Sequence, residues 1–156
     1  MSVTGMLKGH DLFRALTPKE LDQVSSFSAV RNFEKDQTVF DLDQRSSHVF
    51  QVLEGEIYLQ LPGALPEFNI IVSQVERGEL FGLSPLLGSS RYTASARCIN
   101  RCSVLAIEAE AFRRLLQENA LVGFHIMSRV ADTYFHRYVE VVKNLQGVLG
   151  QIPMIR

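Results

Sequence analysis

Three textures of apolar spacing follow one another along the chain. In the first, Leu12, Phe13 and Leu16 make a short helical turn, and Leu21, Val24 and Phe27 recur three residues apart, the spacing of one helix face. Between the two sets stands Thr17-Pro18-Lys19-Glu20, with a hydroxyl at the cap, a proline at the first helical position and a glutamate three residues after the hydroxyl. The threonine can accept from the glutamate's amide while the glutamate side chain reaches back to the cap, so the pattern predicts a helix starting there. Residues 1–30 are expected to be a helical lead-in.

The second texture runs over residues 31–107, in short stretches rich in Val, Ile, Phe, Tyr and Thr, broken by Gly, Pro, Asp and Asn. Ile57, Leu59 and Leu61 alternate with Glu56, Tyr58 and Gln60, which gives a strand one buried and one exposed face. Gly55 marks the turn before it, residues 61–66 read as a loop, residues 69–75 as the next strand and residues 77–79 as a tight turn. The strand pattern resumes over residues 93–107, with a break near Asn100. Many short strands at nearly regular intervals favour closure into a barrel or jelly roll, because closure removes unpaired edges.

From residue 108 to residue 150 the period becomes helical. Ala120, Phe124, Met127, Ala131, Tyr134, Tyr138, Val141, Leu145 and Val148 are spaced alternately by four and three residues, the seam of a coiled coil. A second stripe, Ile126, Val130, Phe135, Val139 and Val142, lies beside it. A helix with two apolar stripes needs two partners, here its own roll and a second copy of the chain, so a homodimer through this helix is expected. Packing of both stripes inside one monomer is the alternative. Gly147, Gly150 and Pro153 supply the stop.

Composition narrows the function classes. A net charge of -1, from 16 basic and 17 acidic residues, provides no overall positive field for nucleic acid or an acidic membrane. No run of apolar residues is long enough to span a bilayer, and the first residues lack the apolar core of a signal peptide, so a cytoplasmic location is expected. Cys98 and Cys102, the only cysteines, are too few for a disulfide framework or a four-cysteine metal site. His10, His48, His125 and His136 are dispersed, with no pair at the spacing of a helical metal site. Ser84, Ser89, Ser90 and Ser95 have no local histidine and acid to activate them, so no catalytic residues are assigned and the chain is read as a non-enzyme.

Three segments carry a resemblance to a known family. Residues 33–40, Phe-Glu-Lys-Asp-Gln-Thr-Val-Phe, look like a strand entering a roll, with Asp36 where a glycine is usual. Residues 47–57 are similar to a strand, turn and strand around Gly55. Residues 78–98, GELFGLSPLLGSSRYTASARC, resemble a phosphate-binding cassette. Together with the order of lead-in, roll and long helix, these features resemble the cyclic-nucleotide-binding domain of Crp/Fnr-type regulators, kinase regulatory subunits and gated channels, over about residues 12 to 149.

The resemblance implies a fold that is mainly β with flanking helices: a β-roll or jelly roll, of the double-stranded β-helix kind, with a long C-terminal helix, all in one domain over residues 1–156. It implies a ligand site around the cassette, residues 78–94, at Gly78, Glu79, Phe81, Gly82, Leu83, Ser84, Arg91, Tyr92, Thr93 and Ala94. In the family the amides of a short helix and an arginine hold the cyclic phosphate while a glutamate accepts the ribose hydroxyl. Two positions depart from that pattern: Leu83 follows Gly82 where the glutamate would stand, and ungapped alignment puts Tyr92 at the arginine position, with Arg91 one residue early. Arg91 recovers the phosphate contact if the loop is locally shifted. Tyr134 and Tyr138 have two uses, as a lid over the ligand or as part of the dimer seam.

Two functions follow as expectations. The first is a stand-alone regulatory sensor that binds a small anionic ligand, a cyclic nucleotide or a relative bound atypically, and signals through its C-terminal helix. The second is a ligand-free scaffold acting by protein–protein contact. No cofactor is required by the residues. Crp/Fnr transcription factors continue into a helix-turn-helix, and with this sequence ending at Arg156 no direct DNA binding is expected.

Overall fold

The structure, a computed structural model, describes residues 2–150. The lead-in contains α1 (Val3–Lys8), a 3₁₀ turn (Asp11–Phe13) and α2 (Pro18–Ser26). Helix α2 begins as its sequence predicts: the Glu20 amide donates to Thr17 Oγ1 at 3.3 Å, and the Thr17 amide donates to Glu20 Oε2 at 2.7 Å. Such a cap is worth about 1 kcal/mol.

Eight strands follow: β1 (Ser28–Phe33), β2 (Thr38–Phe40), β3 (His48–Glu54), β4 (Ile57–Pro62), β5 (Asn69–Val75), β6 (Leu80–Phe81), β7 (Ser95–Cys98) and β8 (Cys102–Glu108). They pair antiparallel in two four-stranded sheets, ordered β1-β8-β3-β6 and β2-β7-β4-β5, which form the two walls of the roll. A 3₁₀ turn (Ser84–Leu87) leaves β6, and α3 (Ala109–Glu118) and α4 (Ala120–Leu149) follow β8. The structure is thus mainly β with flanking helices and a long C-terminal helix. None of the helices among the described residues is long and apolar enough to cross a membrane.

Alternation along the first sheet explains its two cores. On β8, Val104 and Ala106 point between the sheets, while Leu105 and Ile107 point to the helices, and all four are buried. Between the sheets lie Phe40, Phe50, Val52, Ile57, Phe81 and Tyr92. Outside the first sheet lie Phe13, Leu21 and Val24 of the lead-in, Phe112 of α3, and Val122, Ile126 and Val130 of α4. Cys98 and Cys102 are free and buried, and burial pushes the Cys98 thiol up to about 12, with Cys102 adding to the rise.

The long helix therefore buries apolar side chains in the core over its first eleven residues, up to Val130. Beyond Val130 its apolar residues are mostly open: Phe135 is 61% exposed, Tyr138 66%, Leu145 54% and Val148 64%. The second predicted stripe divides here, since its Ile126 and Val130 are buried while its Phe135 is exposed. Pro153, expected at the helix end, lies outside the described residues.

Asp36 explains why a glycine is usual at its place. Its φ is +69°, a left-handed backbone that side chains resist, and the turn is held by its amide donating to the Cys98 carbonyl at 2.9 Å and its carboxylate pairing with Arg97 at 3.2 Å.

Candidate functional site

The chain leaves β6 through Gly82, whose φ is +62° and where a Cβ would sit 3.0 Å from the rings of both Phe40 and Phe50. A side chain would be strained on both counts, and the glycine lets the backbone pass close to the aromatic cluster and turn at once into the four-residue 3₁₀ turn from Ser84. One such turn is too short to build a strong helix dipole. Leu83, at the position of the family's glutamate, is 2% exposed and packs into the core beneath the helices.

A cleft of about 340 Å³ opens between this turn and α4. The roll contributes Phe40, Leu59, Leu61, Val72 and Ser73, the cassette contributes Gly82, Leu83, Ser84, Tyr92, Thr93 and Ala94, and α4 contributes Tyr134, Arg137, Tyr138 and Val141. Its walls are mainly apolar. Two polar groups stand out in it. Ser84 is only 5% exposed, and its Oγ has no hydrogen-bond partner among the described residues. Arg137 reaches in from α4 and donates to the Leu80 carbonyl. Burial lowers the Arg137 pKa from its ordinary value, while the charges of Glu79, Tyr134 and Glu140 act the other way.

The residues nominated from sequence divide. Gly82, Leu83, Ser84, Tyr92, Thr93 and Ala94 line the cleft, and Tyr134 and Tyr138 border it from α4. Gly78, Glu79, Phe81 and Arg91 do not. Phe81 is fully buried and stacks on Phe50 at 5.2 Å between ring centres. Gly78 sits in the turn before β6, its amide bonded to the Val52 carbonyl at 2.8 Å, and the Glu79 carboxylate accepts from the Glu76 amide at 2.7 Å.

The Arg91-Tyr92 pair is placed by packing. Tyr92 is 2% exposed and its ring lies on that of Phe40 with centres 3.8 Å apart, while its hydroxyl donates to the His48 carbonyl at 2.7 Å and accepts from the His48 amide at 3.2 Å. Burial raises the Tyr92 pKa above its ordinary value. With Tyr92 turned inward, Arg91, which forms an isolated bridge with Arg45, lies on the other side, where its guanidinium donates to the Asp43 carbonyl at 2.5 Å. The loop is not shifted so as to bring Arg91 inward, and the arginine that lines the cleft is Arg137 instead. Sequence reasoning passed over Arg137. The available signal was its spacing, three residues after Tyr134 and thus on the same helix face.

No group of three or more His, Cys, Asp or Glu side chains is arranged to hold a metal ion among the described residues. The cleft offers a hydroxyl, a cation and an apolar bed. It can hold a small molecule, but it lacks the acceptor that a ribose hydroxyl would meet at Leu83.

Comparison with known proteins agrees with this architecture. The cyclic AMP receptor protein of Thermus thermophilus is 26% identical over 132 residues, which are 80% of this chain and 57% of that protein. The chain thus spans little more than half the length of that relative. The sensor domain of the transcriptional regulator DNR from Pseudomonas aeruginosa matches with a TM-score of 0.71 at 18% identity, over 83% of this chain and 91% of that one. The c-di-GMP responsive global regulator CLP of Xanthomonas campestris matches with a TM-score of 0.73 at 14% identity, over 88% and 66%. At such identities the likeness to the solved structures establishes the fold alone. The model of the cyclic nucleotide-binding domain matches residues 30–119. Because that match takes in more than half of the sequence, from the first strand of the roll through the helix after its last, the chain belongs to the cyclic nucleotide-binding domain family.

Proposed function

We propose that this chain is a non-enzymatic regulatory module, one domain in extent, whose cleft between cassette and α4 takes a small flat molecule bearing one anionic group. The observation that carries the reading is the Ser84 hydroxyl, buried without a partner among the described residues on the wall of a cleft that Arg137 also lines. A buried hydroxyl left unsatisfied costs about 1–3 kcal/mol, and a ligand acceptor would remove that cost. About 340 Å³ is within the range of small-molecule sites, and the apolar walls suit a ring. A cyclic nucleotide falls within this class, held by Arg137 in place of Arg91.

Signalling follows from where the lid is attached. Tyr134, Arg137, Tyr138 and Val141 all belong to α4, so an occupant contacts the helix directly. It shifts the helix only if it binds one helix position better than another. The open apolar residues of the same helix, Tyr138, Leu145 and Val148 among them, support a homodimer as the body through which that shift is passed on. The scaffold reading draws support from Leu83 and Arg91, which are both committed to other contacts.

A thermal-shift panel of cyclic AMP, cyclic GMP, cyclic dinucleotides and aromatic carboxylates tests the proposal. A ligand at about 100 times its dissociation constant adds roughly 2.7 kcal/mol of stability. At least one member should raise the melting temperature of the native chain, with a smaller rise in Ser84→Ala. No rise with any member would leave the scaffold reading in its place.

A further inference from the structure

A second cleft, of about 600 Å³, shares Arg137 with the first and lies between the turn after α1, the turn joining β5 to β6, and the middle of α4. It is polar where the first is apolar. Gln51 lines it from β3, in the one position of that strand's helix-facing side that is not apolar. The residue is 1% exposed, its Nε2 donates to the Gly78 carbonyl at 3.1 Å, and its Oε1 has no partner among the described residues. An amide oxygen buried in this way calls for a donor.

The surrounding charges are of both signs and largely unmatched. Arg77, Arg129 and Arg137 line the cleft, and none forms an ion pair with a described carboxylate. Among the acids, Asp11 is held by Arg14 at 2.9 Å and Asp132 faces His136 at 3.3 Å, whereas Glu79, whose carboxylate accepts from the Glu76 amide, and Glu140 are in no ion pair among the described residues. A simple anion would satisfy the arginines and leave Gln51 and Glu140 unanswered. A simple cation would do the reverse.

We infer that this cleft binds a small zwitterion, a free amino acid or dipeptide, whose carboxylate meets Arg77 and Arg129 and whose ammonium is held by Gln51 and Glu140. A carboxylate suits the planar guanidinium fork, and an ammonium brings the donors that the Gln51 oxygen lacks. The inference concerns a different cleft from the cassette site and stands whether or not that site is occupied.

The test is titration of the ¹⁵N-labelled full chain with pools of the common L-amino acids and with dialanine, followed by amide chemical shifts. Acetate and methylammonium serve as the two half-ligands. Saturable shifts are expected at Gly9, Gly78 and Thr133 with at least one zwitterion, stronger than with either half. Arg129→Ala, an exposed change on α4, and Gln51→Leu should each weaken binding about tenfold. Absence of saturable shifts with every zwitterion would overturn the inference. So would affinity for acetate alone equal to that for the zwitterion, shifts confined to Gly82 and Thr93, or binding unchanged in Arg129→Ala.

Discussion

Tyr92 shows how one side chain settles the character of a site. Its ring completes the aromatic stack with Phe40, and its hydroxyl exchanges two hydrogen bonds with the backbone of His48. With the ring inside, Arg91 is outside. Tyr92→Phe keeps the stack and strands the His48 backbone groups, so it should lower stability by about 1–3 kcal/mol. Urea unfolding checks this: the midpoint should fall with an unchanged slope, and an unmoved midpoint would mean that the hydroxyl contributes nothing. Which of two adjacent loop residues faces a cavity depends here on how the segment before β7 packs against the segments of Asp43 and His48. A single sequence carries no such information, which is why Arg91 and Tyr92 could not be separated before the structure. Leu83 was legible as a departure from the family, whereas its burial in the core beneath the helices was not.

At the scale of elements, local chemistry spoke more clearly. The capping box at Thr17, the alternation of Ile57 and Leu59, and the helical period after residue 108 each identify an element through its own physics, and each element is present. What the period alone could not give was where α4 leaves the body, because that depends on the roll's extent rather than on the helix. Asn119 links the two helical regions. Its side chain caps α4 by accepting from the Val122 amide at 3.2 Å and also donates to Glu20, the capping-box residue of α2. Accepting from Thr17's amide holds the Glu20 carboxyl below its ordinary range against the opposing effect of burial, and the bond from Asn119 adds to the lowering. Asn119→Ala removes both the cap and the link, and should cost about 1 kcal/mol in chemical denaturation. It should also speed amide exchange in the first turn of α4, and protection there equal to the native chain would show that the cap is dispensable.

For the whole molecule, the arrangement couples three regions through one helix. Its start is buried against the lead-in and α3, its middle walls both clefts, and its end presents apolar residues outward. A second copy covering that outward face would make the clefts sensitive to assembly, and assembly sensitive to the clefts. Leu145→Glu places a charge on the outward stripe, far from the buried start of the helix. It should convert the proposed dimer to monomer in sedimentation velocity while leaving the far-ultraviolet circular dichroism unchanged. A native chain that sediments as a monomer across micromolar concentrations would contradict the dimer.

The account turns on which guanidinium serves the cassette cleft. The most direct measurement is calorimetric titration of the best ligand from the thermal-shift panel into the native chain, Arg91→Ala and Arg137→Met, the last keeping most of the apolar stem. Native-like affinity is expected in Arg91→Ala and a loss of about tenfold or more in Arg137→Met, as removal of a charge-assisted hydrogen bond requires. The reverse order, with Arg91→Ala abolishing binding and Arg137→Met leaving it intact, would contradict it.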